Sequence, residues 1–442
     1  MIDTSAWEAC KPNFGCDKQS ANGFDRRFHI TYWYGPPSEV TSYAVYRQVS
    51  DAGFDIAGPM STGGDEGSNL KFRDACAQNG IKAIVLDRRI NQVIHGAEGW
   101  ERAAEEIVRA YGSHPALFAY YVTDEPDTSA FPALARVVEI FRKLDPEHPA
   151  YINLFPNYAS SEQLGAPDYY TYVKKYIEVC RPDFVSYDHY HFLEVPREDA
   201  APKEEGSGDR REDLIRQSAM MRVDRRGFFE NIEVVRDLCA EHDIPFMVIV
   251  LLIQHGPYRN LTEAELRFEA FQSLCYGAGY LSYFTYWTVN EPGSWWNWKN
   301  AMVDVNGLVL QHYYDVQRVN SVLVPYGNAL KRKRSLFVSH FGPEPESVRI
   351  FTPHRPGSVI EGIKPDDPGD SDALPLKLTV GEFEDNYVLL CNKDFTAPCG
   401  FTAVFAGNAA YLRHSDGMPV STNEREVRIR LAPGDALLIK VL

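Results

Sequence analysis

An apolar run ends on two adjacent carboxylates in "FAYYVTDEPDTSAF" (residues 118–131), where Asp124 and Glu125 precede Pro126. A second acidic centre lies in "YDHYH", which places Asp188 among Tyr187, His189, Tyr190 and His191. Such carboxyl groups can work as a pair, one donating a proton to a leaving oxygen while the other serves as nucleophile or as base for water. Aromatic and amide side chains accompany them at the ends of other apolar runs: Trp33, Asn153, Gln254 with His255, and Tyr286 with Trp287. A further segment, "VNEPGSWWNWKN" (289–300), adds Glu291, Trp295, Trp296 and Trp298. Flat rings offer apolar faces to the C–H faces of sugars, and carboxylates, Asn, Gln and His hydrogen-bond hydroxyls. Tyr and Trp also fill cores, so the concentration of aromatics at run ends carries more weight than any one of them.

The elements that must hold these residues are legible. Eight short apolar runs alternate with amphipathic stretches: 28–35, 54–60, 81–87, 117–125, 150–156, 183–191, 244–254 and 280–288. They are continuously apolar rather than alternating, as strands of a helix-covered parallel sheet should be. Between them, Phe131, Leu134, Val138, Phe141 and Leu144 form one helical stripe, and Thr262 with Glu265 forms a capping box ahead of another. Eight such units predict a (β/α)8 barrel over residues 1–330, whose active site is assembled from the carboxyl ends of the strands. From about residue 331 the period changes to two, as in "EVRIRL" (426–431), which predicts a smaller antiparallel β-sandwich over 331–442.

At this point the sequence resembles the clan A glycoside hydrolases. "VTDEP" matches the clan's acid/base glutamate at the end of the fourth strand, which follows Asn or Asp and commonly precedes proline; "YFTYW" matches its substrate-platform tryptophan at the eighth, at Trp287. The resemblance implies a glycoside hydrolase with Glu125 as general acid. The clan's nucleophile is a glutamate at the end of the seventh strand, where "IPFMVIVLLIQHG" supplies Gln254, and a neutral amide can neither form a glycosyl ester nor act as a base. An engineered Glu→Gln change, an inverting enzyme with its base elsewhere, a substrate-assisted mechanism and a site that has lost catalysis all remain open. Asp188 is the favoured second carboxylate; Asp87 and Glu291 are weaker candidates, and a purely structural Asp188 is an equal reading. On an extended strand Asp124 should point away from Glu125, to orient it or to bind a hydroxyl. The expected substrate contacts are therefore Trp33, Asp87, Asp124, Asn153, His189, Tyr190, Gln254, Trp287 and Trp295, and Arg88, Arg89, Arg259 and Lys299 lie near enough to strand ends to meet a uronate.

Other classes fit less well. The chain carries 45 basic and 61 acidic residues among 442, a formal charge of −16 that repels nucleic acids and anionic membranes, so a carbohydrate partner is expected. The longest apolar run, 244–253, is too short to cross a bilayer. No basic stretch followed by an apolar one opens the chain, so no signal peptide is expected; as written it reads as cytoplasmic, or as periplasmic or secreted if a signal was trimmed. No HExxH, GxSxG, GxxxxGK[ST] or GxGxxG pattern occurs, and no cofactor or metal is expected. The alternatives are a glycan-binding protein on a degenerate barrel, and a sugar isomerase or epimerase whose metal would be held by Glu125, Asp188 and His189 or His191. Of eight cysteines, only Cys10 with Cys16 and Cys391 with Cys399 are spaced for a local disulfide; free buried thiols are the favoured state. The polar segments 196–213 and 354–375 read as a lid or solvated loop and as part of the second domain.

Overall fold

The computed structural model describes residues 1–4, 28–196, 220–330, 333–344, 346–366 and 375–442. Eight parallel strands form one sheet: β1 (His29–Trp33), β2 (Ile56–Ala57), β3 (Lys82–Leu86), β4 (Leu117–Asp124), β5 (Ala150–Leu154), β6 (Val185–His189), β7 (Phe246–Leu251) and β8 (Tyr280–Phe284). Their spatial order is β1-β8-β7-β6-β5-β4-β3-β2, and a parallel bridge from Gly35 to Met60 joins β1 to β2. Glycine is required at this seam: a Cβ on Gly58 would sit 1.7 Å from the Tyr32 carbonyl oxygen, and one on Gly35 would sit 2.9 Å from that of Pro59. All eight predicted strands are present.

A helix returns the chain after each strand, including Phe131–Leu144 after β4, Phe228–Glu241 after β6, Glu263–Cys275 after β7 and Gln311–Ala329 after β8. Local chemistry starts several of them. Ser42, Asp65 and Asp168 each accept a backbone N–H of the first turn, and the Thr262/Glu265 capping box forms as predicted. Glu265 also pairs with the buried Arg259 at 2.5 Å, which anchors the segment after β7 to the helix it precedes.

The barrel interior is filled by Ile56, Ile84, Ala119, Tyr151, Phe184, Met247 and Tyr280, with Trp33, Phe118 and Tyr121 packed against them. Period-two alternation then decides what reaches the mouth. Along β6, Phe184 is an interior residue, so Ser186 and Asp188 face inward too, while Tyr187 belongs to the larger core between sheet and helices.

The C-terminal region forms two sheets around a core that includes Ile360, Val380, Leu390, Phe401, Ile429 and Ile439. The strand Glu426–Leu431 alternates exposed and buried residues throughout, as its sequence predicts. Residues Ile2–Asp3 run parallel to Ile429–Arg430 in one of these sheets. The helix Glu263–Cys275 is buried along almost its whole length because it packs on the barrel and also on strands Leu378–Phe383 and Tyr387–Asn392. Cys391 and Cys399 are both free thiols, so that suggested pairing does not form. The Cys10 and Cys16 pairing, most of the 196–213 segment and part of 354–375 lie outside the described residues.

Candidate active site

The acid at the end of β4 is placed by a change of backbone conformation. Asp124 is the last strand residue; Glu125 then adopts a left-handed conformation with φ of 45°. Its N–H still donates to the Asn153 carbonyl of β5 at 2.9 Å, and the Pro126 carbonyl accepts the Tyr172 hydroxyl at 2.7 Å. The turn therefore breaks the alternation that would separate Asp124 from Glu125. Both side chains join one cluster.

Asn153 organises that cluster. Its amide nitrogen donates to Asp124 at 3.0 Å and to Asp188 at 3.1 Å, bridging the ends of β4 and β6. Its own carbonyl accepts the Ser186 hydroxyl at 2.8 Å, and Tyr151 lies 3.1 Å from Ser186, so interior hydroxyls hold the amide in place. Glu125 and Asp188 are close enough for each carboxyl to shift the other's proton affinity. Asp188 is 6% exposed, and burial, followed by the charges of Glu125 and Asp124, holds its pKa well above the usual carboxylate range. Burial and then Asp124 raise Glu125 to about 7, against the opposing effect of Asp188. Asp124 reaches solvent at the mouth but is enclosed by protein on its other sides, and this desolvation raises it despite the Asn153 bond. Burial and mutual repulsion oppose the simultaneous ionisation of these neighbouring acids, and Glu125, raised to about 7, meets the condition a general acid requires.

Aromatic rings surround the cluster. Trp33 stands edge-on to Tyr121 at 5.2 Å and to Tyr151 at 6.0 Å, directly in the upper interior. Tyr190, two residues beyond Asp188, packs on Phe284 at 5.1 Å and Tyr258 at 5.3 Å. From there a continuous wall leads outward: Tyr258 to His255 at 4.5 Å, His255 stacked on Trp298 at 4.4 Å, Trp298 to Trp296 at 5.8 Å, and Trp296 to Trp295 at 3.9 Å. Trp295 is 71% exposed, a large apolar face open at the rim. Glu291 accepts the Trp298 indole N–H at 3.0 Å and so helps to hold this wall.

Other expected site residues are buried or engaged with other partners. Asp87 is buried under Arg89, whose Nε and Nη2 reach it at 3.0 and 2.8 Å, and under the Tyr111 hydroxyl at 2.5 Å. Burial would raise its pKa, but these bonds outweigh burial and lower it, which marks a closed ion pair. His189 faces away from Asp188, fully buried beside the rings of Tyr158 and Phe228. Burial, then His191 and Arg225, keep it neutral. Among the described residues no group of three or more His, Cys, Asp or Glu could hold a metal ion. Gln254 is tied to the segment after β8: its backbone exchanges two 3.0 Å hydrogen bonds with Lys299, and its side-chain oxygen accepts from Asn300 at 2.9 Å. Trp287 is only 5% exposed and belongs to the core. Residues absent from the sequence reading, Tyr158, Arg225 and Tyr258, lie in connecting segments rather than at strand ends. Only the arrangement of those segments brings them to the mouth.

No family model matches the sequence, and no curated protein does. Solved structures do match. A family 39 glycoside hydrolase from Bacteroides cellulosilyticus WH2 is 11% identical with a TM-score of 0.52, over 94% of this chain and 81% of that one. A family 5 glycoside hydrolase from Bacteroides vulgatus ATCC 8482 is 13% identical with a TM-score of 0.50, over 94% and 89%. A β-galactosidase from Halorubrum lacusprofundi, 13% identical with a TM-score of 0.46, is matched over 67% of this chain and 58% of its own length. The chain thus shares the fold of the first two of these structures, as a (β/α)8 barrel followed by a separate antiparallel β domain.

Proposed function

We propose that this chain is a glycoside hydrolase in which Glu125 is the general acid and Asp188 its partner. The observation that carries this reading is the acid cluster at the mouth, in which Asn153 bridges Asp124 and Asp188 beside Glu125, itself raised to about 7 by burial and by Asp124. Glu125 donates its proton to the leaving glycosidic oxygen, and the one carboxylate that the interacting Asp188–Asp124 pair ionises supplies negative charge to the oxocarbenium-like centre that develops. The close electrostatic contact of the two carboxyls supports a retaining course, for which a separation of about 5 to 5.5 Å is usual, over an inverting one at about 6.5 to 9.5 Å. Carbohydrate recognition rests on the aromatic wall from Tyr190 to Trp295. The test is Glu125→Gln assayed on a panel of aryl glycosides and oligosaccharides of both anomeric configurations. Turnover should vanish while sugar binding persists; full activity in the variant overturns the reading.

Gln254 favours a second reading, a glycan-binding protein, because its amide occupies the strand end where a nucleophile would stand in the resembled clan. Binding of glycans with no hydrolysis across the same panel by the unaltered protein selects it.

A further inference from the structure

Two of the cations near the barrel mouth are already matched. Arg89 is committed to Asp87 and lies 3.2 Å from Glu66, and Arg259 is committed to Glu265 and Asp224. Arg225, which follows the hairpin strand Met220–Asp224, differs. It has no ion pair among the described residues, and its Nη1 is shielded from solvent without a hydrogen-bond partner. Its guanidinium carbon lies 3.7 Å from the Tyr158 ring centroid and 5.5 Å from that of Tyr258. Tyr258 belongs to the aromatic wall, and Tyr158 senses the charge of Asp188 as well as that of Arg225. Arg225 therefore stacks on the wall, and its backbone N–H donates to the His191 carbonyl at 2.7 Å, three residues beyond Asp188. The fully buried His189 packs on the same Tyr158 ring at 5.1 Å, and both its ring nitrogens lack partners too.

A partly buried guanidinium with unused donors is costly to keep, and stacking on aromatic rings offsets only part of that cost. Its planar fork is suited to a carboxylate, which it can bind through two parallel hydrogen bonds. A sugar hydroxyl makes poorer use of a fixed positive charge. We propose that Arg225 receives the carboxylate of an acidic sugar beside the Glu125–Asp188 pair, so that the substrate is a uronic-acid-containing glycan. This rests on the glycoside hydrolase reading. It adds that the negative charge of the substrate is recognised at one residue, although the chain as a whole and its catalytic cluster are acidic.

Matched aryl hexosides and hexuronides of glucose and galactose, in both anomeric forms, separate the possibilities. The unaltered enzyme should prefer hexuronides, and Arg225→Met should lower the hexuronide-to-hexoside ratio of kcat/KM by about 10- to 100-fold, the range of a charged hydrogen bond. Most of the loss should fall in KM, and Arg225→Lys should restore part of it. Equal losses on both substrate types, or a preference of the unaltered enzyme for hexosides, overturn the proposal. Calorimetric titration of Glu125→Gln with glucuronic and galacturonic acids, against glucose and galactose, reads recognition without turnover. Uronate preference lost in Glu125→Gln/Arg225→Met supports the proposal even if no substrate is cleaved, whereas absence of that preference ends it even if neutral glycosides are cleaved. An unchanged melting temperature confirms that the Arg225 variants are folded.

Discussion

Glu125, just past the end of β4, lies close enough to Asp188 of β6 that its charge adds to burial in raising the Asp188 pKa. Asn153 of β5, between them, donates to Asp188 and also to Asp124. A general acid works only while protonated, so kcat/KM should fall as pH rises through about 7, the value to which burial and Asp124 raise Glu125. Asp124→Asn removes the charge that helps raise it. The alkaline limb of the pH–rate profile should then move to lower pH, while the Asn153 contact is kept because an amide oxygen still accepts.

The stereochemical course follows from the same contact. Proton NMR of the first-formed product should show retention of anomeric configuration, and Asp188→Asn should lower kcat by at least about 100-fold. Inversion would mean that another carboxylate or a displaced pair activates water.

Stability gives a test that does not need a substrate. The folded-state pKa of Glu125, about 7, lies above the ordinary value of about 4.3 for an unfolded chain. The folded protein thus holds the proton more tightly, and ionisation costs stability progressively as pH rises from near 4.3 to near 7, with the full cost present above that. Glu125→Gln removes the ionisable group. Its melting temperature should exceed that of the unaltered protein at pH 8 and approach it at pH 4, as measured by calorimetry across that range.

Two tryptophans separate binding from packing. Trp295→Ala, at a residue 71% exposed, should raise KM for oligosaccharides by about 2- to 10-fold with little change in melting temperature. Trp287→Ala, at a residue 5% exposed, should cost about 3 to 5 kcal/mol of stability, read by denaturant titration.

Much of the fold was legible because strand and helix leave local signatures. Continuous apolar runs gave β1 to β8, caps such as Thr262 with Glu265 gave helix starts, and the period-two pattern of 426–431 gave a strand of the second domain. The type and strand position of Glu125 and Asp188 were also readable, since a strand end in a barrel of this kind points to the mouth.

What sequence periodicity could not decide is where side chains go once the backbone leaves the strand. Alternation separates Asp124 from Glu125, yet the left-handed turn at Glu125 brings both into one cluster. Asp87 and Trp287, also strand-end residues expected to meet substrate, are claimed by Arg89 with Tyr111 and by the core. Arg225 and Tyr158 reach the mouth only because the connecting segments fold over it. The sequence by itself determined the barrel and the kinds of residue at its rim, because those depend on hydrophobic period and turn chemistry. Only the tertiary structure decided which carboxylates touch, because contact across strands depends on register, backbone turns and competing partners far apart in the chain.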